Sequence, residues 1–213
     1  MHRSEALEAL LEAASEQGGY VTASQATRLG LARDDIARLV DFGDLQRVRR
    51  GLFRMRHAQA QHEDDIAAWL HFERDRLPWE RRGATNVVLS HESAAALHRL
   101  GTIIPQHPTV TVLPRSGRSP HVTDIVVRRA PLRDEDWAWS DVGPLKLPVT
   151  TPARTIVDLL LDKQEPSYVL RATNEALAER LTTPAEIMDA ARHRKSRTGA
   201  LQARTASLLE LAA

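Results

Sequence analysis

Gly30-Leu31-Ala32 interrupts two short apolar-periodic segments, and this break most narrows what the first part of the chain can become. Upstream, Ser24 reads as the N-cap of a helix running through Leu29. Downstream, Ile36, Leu39 and Val40 recur at helical spacing between about Arg33 and Phe42, and Gly43 stops that helix. Before the pair, Leu7, Leu10, Leu11 and Ala14 mark an amphipathic helix over Ser4–Gln17, closed by Gly18-Gly19, and Tyr20-Val21-Thr22 reads as a short strand. After the pair comes GDLQRVRRGLFRM, Gly43 to Met55, in which Leu45, Val48, Leu52 and Phe53 alternate with Arg47, Arg49, Arg50 and Arg54 around Gly51. This reads as strand, turn, strand.

The order helix, strand, helix, tight turn, helix, hairpin is that of a winged helix-turn-helix, whose two turn-linked helices form a DNA-reading core. Net charge is only +1 over 213 residues, so attraction to a polyanion has to be local. The hairpin supplies it: guanidinium groups are planar, always charged and offer paired donors to phosphate oxygens. The bland alternative is a solvated charged hairpin that binds nothing. In this geometry the start of the second helix faces base edges, which makes Arg33 and Arg38 candidates for guanine or phosphate. Asp34 and Asp35 read as complements to the helix dipole, since Ala32 is a poor N-cap. Ser24, Gln25 and Arg28 on the preceding helix are candidates for backbone contact.

The polar stretch 56–63 reads as a linker, giving a domain over 1–57 and a second over 58–213. The second domain reads as mixed α/β with a helical C-terminal tail, so the fold class is α+β. It has a helix over about Asp64–Arg76, a strand in TNVVLS, a helix from Ser90 to Gly101, and strands in PTVTVLP and TDIVVRRA. A strand then enters a helix in LKLPVTTPARTIVDLLLD, with Thr151 at the N-cap and Pro152 at the first helical position. Helices follow over about Ser167–Arg180, Pro184–His193 and Thr198–Leu211. Arg154 and Asp158 are i, i+4 partners and with Thr155 suggest a polar network, structural by default.

Other chemistries find little footing. There is no cysteine, hence neither disulfide nor thiolate zinc site. The N-terminal stretch has four glutamates and no apolar centre, so it does not read as a signal peptide, and no run has the apolar length of a membrane span. His91 and His98 stand seven apart, too far along a helix to share one metal ion; packing or surface roles are the ordinary reading. The three lysines, Lys146, Lys163 and Lys195, do not follow an acid in the E-x-K step of a restriction-type nuclease. The acidic segment LRDEDWAW reads as a loop. No metal, cofactor or catalytic residue is therefore assigned, and the chain is not read as an enzyme.

GGYVTASQATRLGLARDDIARLVDFGDLQRVRRGLFRM resembles the N-terminal winged helix of AbiEi-family antitoxins. LSHESAAALHRLG and PVTTPARTIVDLLLD resemble segments of the domain that follows it in that family. The resemblance implies a cytoplasmic prokaryotic regulator of a type IV toxin–antitoxin system. Such a protein binds double-stranded promoter DNA at repeats, represses its own operon, and counteracts a nucleotidyltransferase-like toxin without a stable complex. Three rival readings stay open: a plain winged-helix transcription factor whose second domain senses a ligand or dimerises, a metal-dependent nuclease relative, and a protein-interaction module.

Overall fold

The computed structural model describes residues 3–58, 61–81, 85–113, 123–143, 145–162, 164–194 and 199–212. Lys163, Lys195 and most of the loop between the PTVTVLP and TDIVVRRA strands lie outside them. The fold is mixed α+β, with nine α-helices and two sheets among the described residues. None of these helices is long and apolar enough to cross a membrane. The chain divides into two compact units, Met1–Asn86 with Ser140–Leu147, and Val87–Trp139 with Pro148–Ala213.

In the first unit the elements are α1 (Arg3–Ser15), β1 (Tyr20–Thr22), α2 (Ala23–Arg28), α3 (Arg33–Asp41), β2 (Leu45–Arg49), β3 (Leu52–Met55) and α4 (Glu63–Phe72). This is the order expected from sequence. The strands form an antiparallel sheet in the order β1-β3-β2. Leu10, Val21, Ala26, Leu31, Ile36 and Phe53 share its core, while Leu39 and Val40, expected to be buried, are only half-buried. Gly19 turns the chain into β1 at φ +91°, and a Cβ there would lie 2.2 Å from Ala58 Cβ, so no side chain fits.

The N-cap of α2 is Thr22, not Ser24. Thr22 Oγ1 accepts from the Gln25 amide at 3.1 Å, and Gln25 Oε1 accepts from the Thr22 amide at 2.9 Å, satisfying two orphan donors reciprocally. The same Gln25 extends the unit beyond residue 57. Its Nε2 donates to Gln17 Oε1 at 2.9 Å and to the Arg76 carbonyl at 2.7 Å, and Arg81 donates to Gln17 Oε1 at 2.6 Å. Arg81 lies over the Trp69 ring at 4.3 Å, and burial pulls its pKa down to about 10. The segment after α4 thus shares buried polar groups with β1 and α2.

The second sheet has the order β6-β5-β4-β8-β7. Its strands are β4 (Val87–Leu89), β5 (Thr109–Val112), β6 (Val126–Arg129), β7 (Trp137–Val142) and β8 (Leu145–Thr150). β4 pairs antiparallel with β5, whereas β5–β6 and β4–β8 are parallel. LRDEDWAW, read as a loop, ends in β7 instead. A 3-10 turn over Asp134–Asp136 absorbs the acids, and Trp137 and Trp139 then continue as an edge strand. The helices of the second unit are α5 (His91–Leu97), α6 (Pro152–Leu161), α7 (Pro166–Ala178), α8 (Pro184–His193) and α9 (Ala200–Ala212). Thr151 caps α6 and Pro152 opens it, as expected. Ser90 stands at the N-cap of α5 but makes no side-chain cap; its Oγ accepts from Thr111 and faces His91 Nδ1.

α6 packs against α5, α7, α8 and α9 and is buried from Ala153 to Leu160. A helix surrounded this way has no solvent face for charges, yet it carries Arg154 and Asp158, both essentially inaccessible. They are compensated in place. Arg154 donates to Asp158 Oδ2 at 3.0 Å and to Asp136 Oδ2 at 2.9 Å, and Arg194 donates to Asp158 Oδ1 at 3.1 Å. The expected Arg154–Asp158 pair is one link of this larger cluster, while Thr155 pairs separately with Thr150.

Removing one member strands the others. Arg154→Met should destabilise the protein by about 1–3 kcal/mol, because Asp136 and Asp158 lose their buried partner and keep only the less buried Arg133 and Arg194; a urea midpoint equal to wild type would refute this. Burial also lowers the pKa of His91 and His98. The unfolded chain then binds protons that the folded one does not, so stability is full above about pH 6.5 and falls below it. The melting temperature should drop from pH 7.5 to pH 5, and His98→Gln should flatten that slope.

Candidate nucleic-acid interface

α3 starts because Gly30 breaks the chain at φ +92° and Ala32 takes extended geometry at the N-cap. Ala32 offers no side-chain cap, and Asp35 compensates: its Oδ2 accepts from the Ala32 amide at 3.0 Å, next to the positive end of the helix dipole. Ile36 anchors the inner face, while Arg33, Asp34, Ala37, Arg38 and Asp41 face solvent. Arg33 is exposed at the first helical position, and Arg38 is exposed with only a loose 3.9 Å approach to Asp35.

β2 and β3 form the hairpin, with Arg47 opposite Phe53 and Arg49 opposite Leu52. The register shifts between Arg47 and Arg49, a bulge of the kind that sharpens local twist. Arg50 and Gly51 make the turn, where Gly51 takes φ +76°. Arg47 and Arg50 are exposed, Arg47 with its guanidinium 5.8 Å from the Phe53 ring centre. Arg33, Arg38, Arg47 and Arg50 are thus all exposed along α3 and the hairpin, as is Arg56 just after it.

Other candidates are placed differently. Gln25 is wholly buried and hydrogen-bonded to Gln17, Thr22 and the Arg76 carbonyl, so it cannot reach a phosphate. Arg28 is exposed but grips Glu80 with two bonds of 2.7 and 2.6 Å and also donates to the Asp75 carbonyl. That grip holds the Glu80 carboxyl at about 2 and raises Arg28. Arg54 is 12% exposed, donates to Gln46 Oε1 at 2.7 Å and lies 3.2 Å from Glu63. Tyr20 donates to the same Glu63 carboxylate, and burial raises the Tyr20 pKa. Arg54 is thus held by Gln46 and Glu63 of its own chain. Arg49 lies 3.3 Å from Asp64, and Ser24 is half-buried in the first turn of α2.

Sequence reasoning missed Glu63 and Asp64, the acids that meet the hairpin. Their signal is present: the acidic run 63–65 follows the arginines closely enough to fold back on them. His91 and His98 do not converge; His98 Nε2 donates to the Thr150 carbonyl at 2.7 Å, while His91 faces Ser90, Asp158 and Asp162. Among the described residues no three His, Asp or Glu side chains are grouped as metal ligands.

The two kinds of hairpin arginine separate in a stability assay. Arg54→Gln should lower unfolding free energy by about 0.5–1.5 kcal/mol by removing the sheltered guanidinium's bonds to Gln46 and Glu63, whereas Arg50→Gln should leave the urea midpoint within error of wild type.

Against known proteins, no curated protein matches the chain. The chain is similar over its full length to the crystal structure of the RV2827C protein from Mycobacterium tuberculosis, with a TM-score of 0.60 at 16% identity, covering 78% of that chain. At that identity the likeness is one of fold. Residues 8–56, which run from α1 through the hairpin, match the family model described as transcriptional regulator, AbiEi antitoxin.

Proposed function

We propose that residues 3–58 form a winged helix-turn-helix that binds double-stranded DNA, with α3 in the major groove and the β2–β3 hairpin as the wing. In this reading the protein is a cytoplasmic autorepressor and antitoxin of a type IV toxin–antitoxin system, and its second domain counteracts a nucleotidyltransferase-like toxin. It is a binding protein without catalysis. The observation that carries the reading is the match of residues 8–56 to the AbiEi antitoxin regulator family, over the same stretch that presents Arg33, Arg38, Arg47 and Arg50. Arg47 and Arg50 supply phosphate contacts, which fix register without reading sequence. Arg33 and Arg38, on the exposed face of α3, supply base contacts.

A plain ligand-responsive regulator is the second reading, and one observation favours it. The second unit has a cavity of about 440 Å³ lined by Leu160, Val169, Leu170, Leu208 and Leu211, with Arg204 at its edge. Its size is within the range of small-molecule sites. Co-expression with the product of the adjacent gene discriminates between the two: protection from toxicity supports the antitoxin, and unrelieved toxicity with intact repression supports the plain regulator.

Mobility shifts on the duplex upstream of its own gene test the DNA reading. Arg47→Ala with Arg50→Ala should weaken operator and random duplex alike and flatten the salt dependence by about 0.9 per lost contact. Arg33→Ala or Arg38→Ala should cost about 1–3 kcal/mol at one base position only. No shift by wild type at low salt would remove the DNA reading.

A further inference from the structure

The hairpin arginines meet two carboxylates of their own chain, and the two pairs differ in kind. Arg54 and Glu63 form a closed group: Arg54 is 12% exposed, Gln46 also holds it, and the Tyr20 hydroxyl donates to Glu63. Arg49 and Asp64 form an open one. Asp64 Oδ1 is 3.3 Å from an Arg49 nitrogen, yet the Asp64 side chain is 81% exposed against 20% for Arg49. The carboxylate thus stands in water on the solvent side of a guanidinium sheltered by the hairpin.

An exposed ion pair contributes little and exchanges readily. Carboxylate and phosphodiester oxygens also offer a guanidinium the same charge-assisted bonds. The covalent tether favours Asp64 over a phosphodiester by keeping the carboxylate at high effective concentration.

We propose that Arg49 is an anion site that Asp64 fills in the free protein and that a DNA backbone phosphodiester fills when it displaces Asp64. The proposal rests on the hairpin being a DNA-binding wing. Asp64 then acts as an intramolecular competitor that withholds one phosphate contact from every duplex the protein meets. It acts on the sequence-independent part of affinity, because phosphate contacts carry that part and Asp64 does not approach it through α3. At physiological salt its effect is confined to its neighbour, since charges farther than about 8 Å are screened.

The test is a double-mutant cycle between Asp64→Asn and Arg49→Gln, read on operator duplex, random duplex and heparin. Asp64→Asn should raise affinity for both duplexes by the same factor, on the order of two- to fivefold. It should steepen the salt dependence by about 0.9 and delay elution from heparin. In the Arg49→Gln background the same change should do none of these. An equal gain in that background would show a general charge effect and overturn the proposal, as would an Asp64→Asn protein that binds DNA and heparin like wild type. If wild type shifts no duplex but the heparin cycle holds, the DNA reading falls and the anion site stands. Thermal melts identify any variant whose fold has changed; Arg49→Lys, which keeps the charge, should then retain the response to Asp64→Asn.

Discussion

Gln25 is the residue on which the geometry of the first unit turns. Its amide closes the cap of α2, bonds Gln17 at the end of α1 and accepts or donates at three points between Thr22 and Arg76. A buried amide so fully satisfied fixes orientation, because any rotation of α2 would strand several polar groups at once. α3 follows α2 after a turn of only a few residues, so the direction of α3 is inherited from this cluster. Gln25, proposed from sequence as a backbone contact, instead lies inside the unit and fixes the direction in which α3 leaves α2.

Charge is divided in the same economical way. Arg28, Arg54 and Arg81 each have a carboxylate or amide partner, while Arg33, Arg38, Arg47 and Arg50 are turned outward. A chain of near-zero net charge can still expose several arginines when carboxylates such as Glu63 and Glu80 are paired with others. The second unit follows the complementary rule: Arg154, Asp136, Asp158 and Arg194 bury opposite charges together and show little of them outside.

Much of this was legible in the sequence because it is local. Apolar spacing gave α1 and α3, glycine gave their ends, and Thr151-Pro152 gave the start of α6. What was not legible depends on partners distant in the chain. No local pattern tells that Glu80 will hold Arg28 or that Gln25 will face inward. β7 was hidden for a different reason: its acidic 3-10 turn has loop composition, and an edge strand needs only one covered face. Thr22 outcompeted Ser24 as a cap because the glutamine that completes the box lies three residues after Thr22.

The division of the chain also sets an order of assembly. Residues 140–147 group with the first unit although the whole of 87–139 precedes them. The helices and hairpin up to Met55, with Arg76 and Arg81 of the Gln25 cluster, pair within the first 81 residues, and such contacts form before more distant ones. The parallel pairing of Leu89 with Val149 must wait for a long excursion to close. During synthesis α3 and the hairpin can therefore pack on the nascent chain before α6 and its charge cluster have emerged.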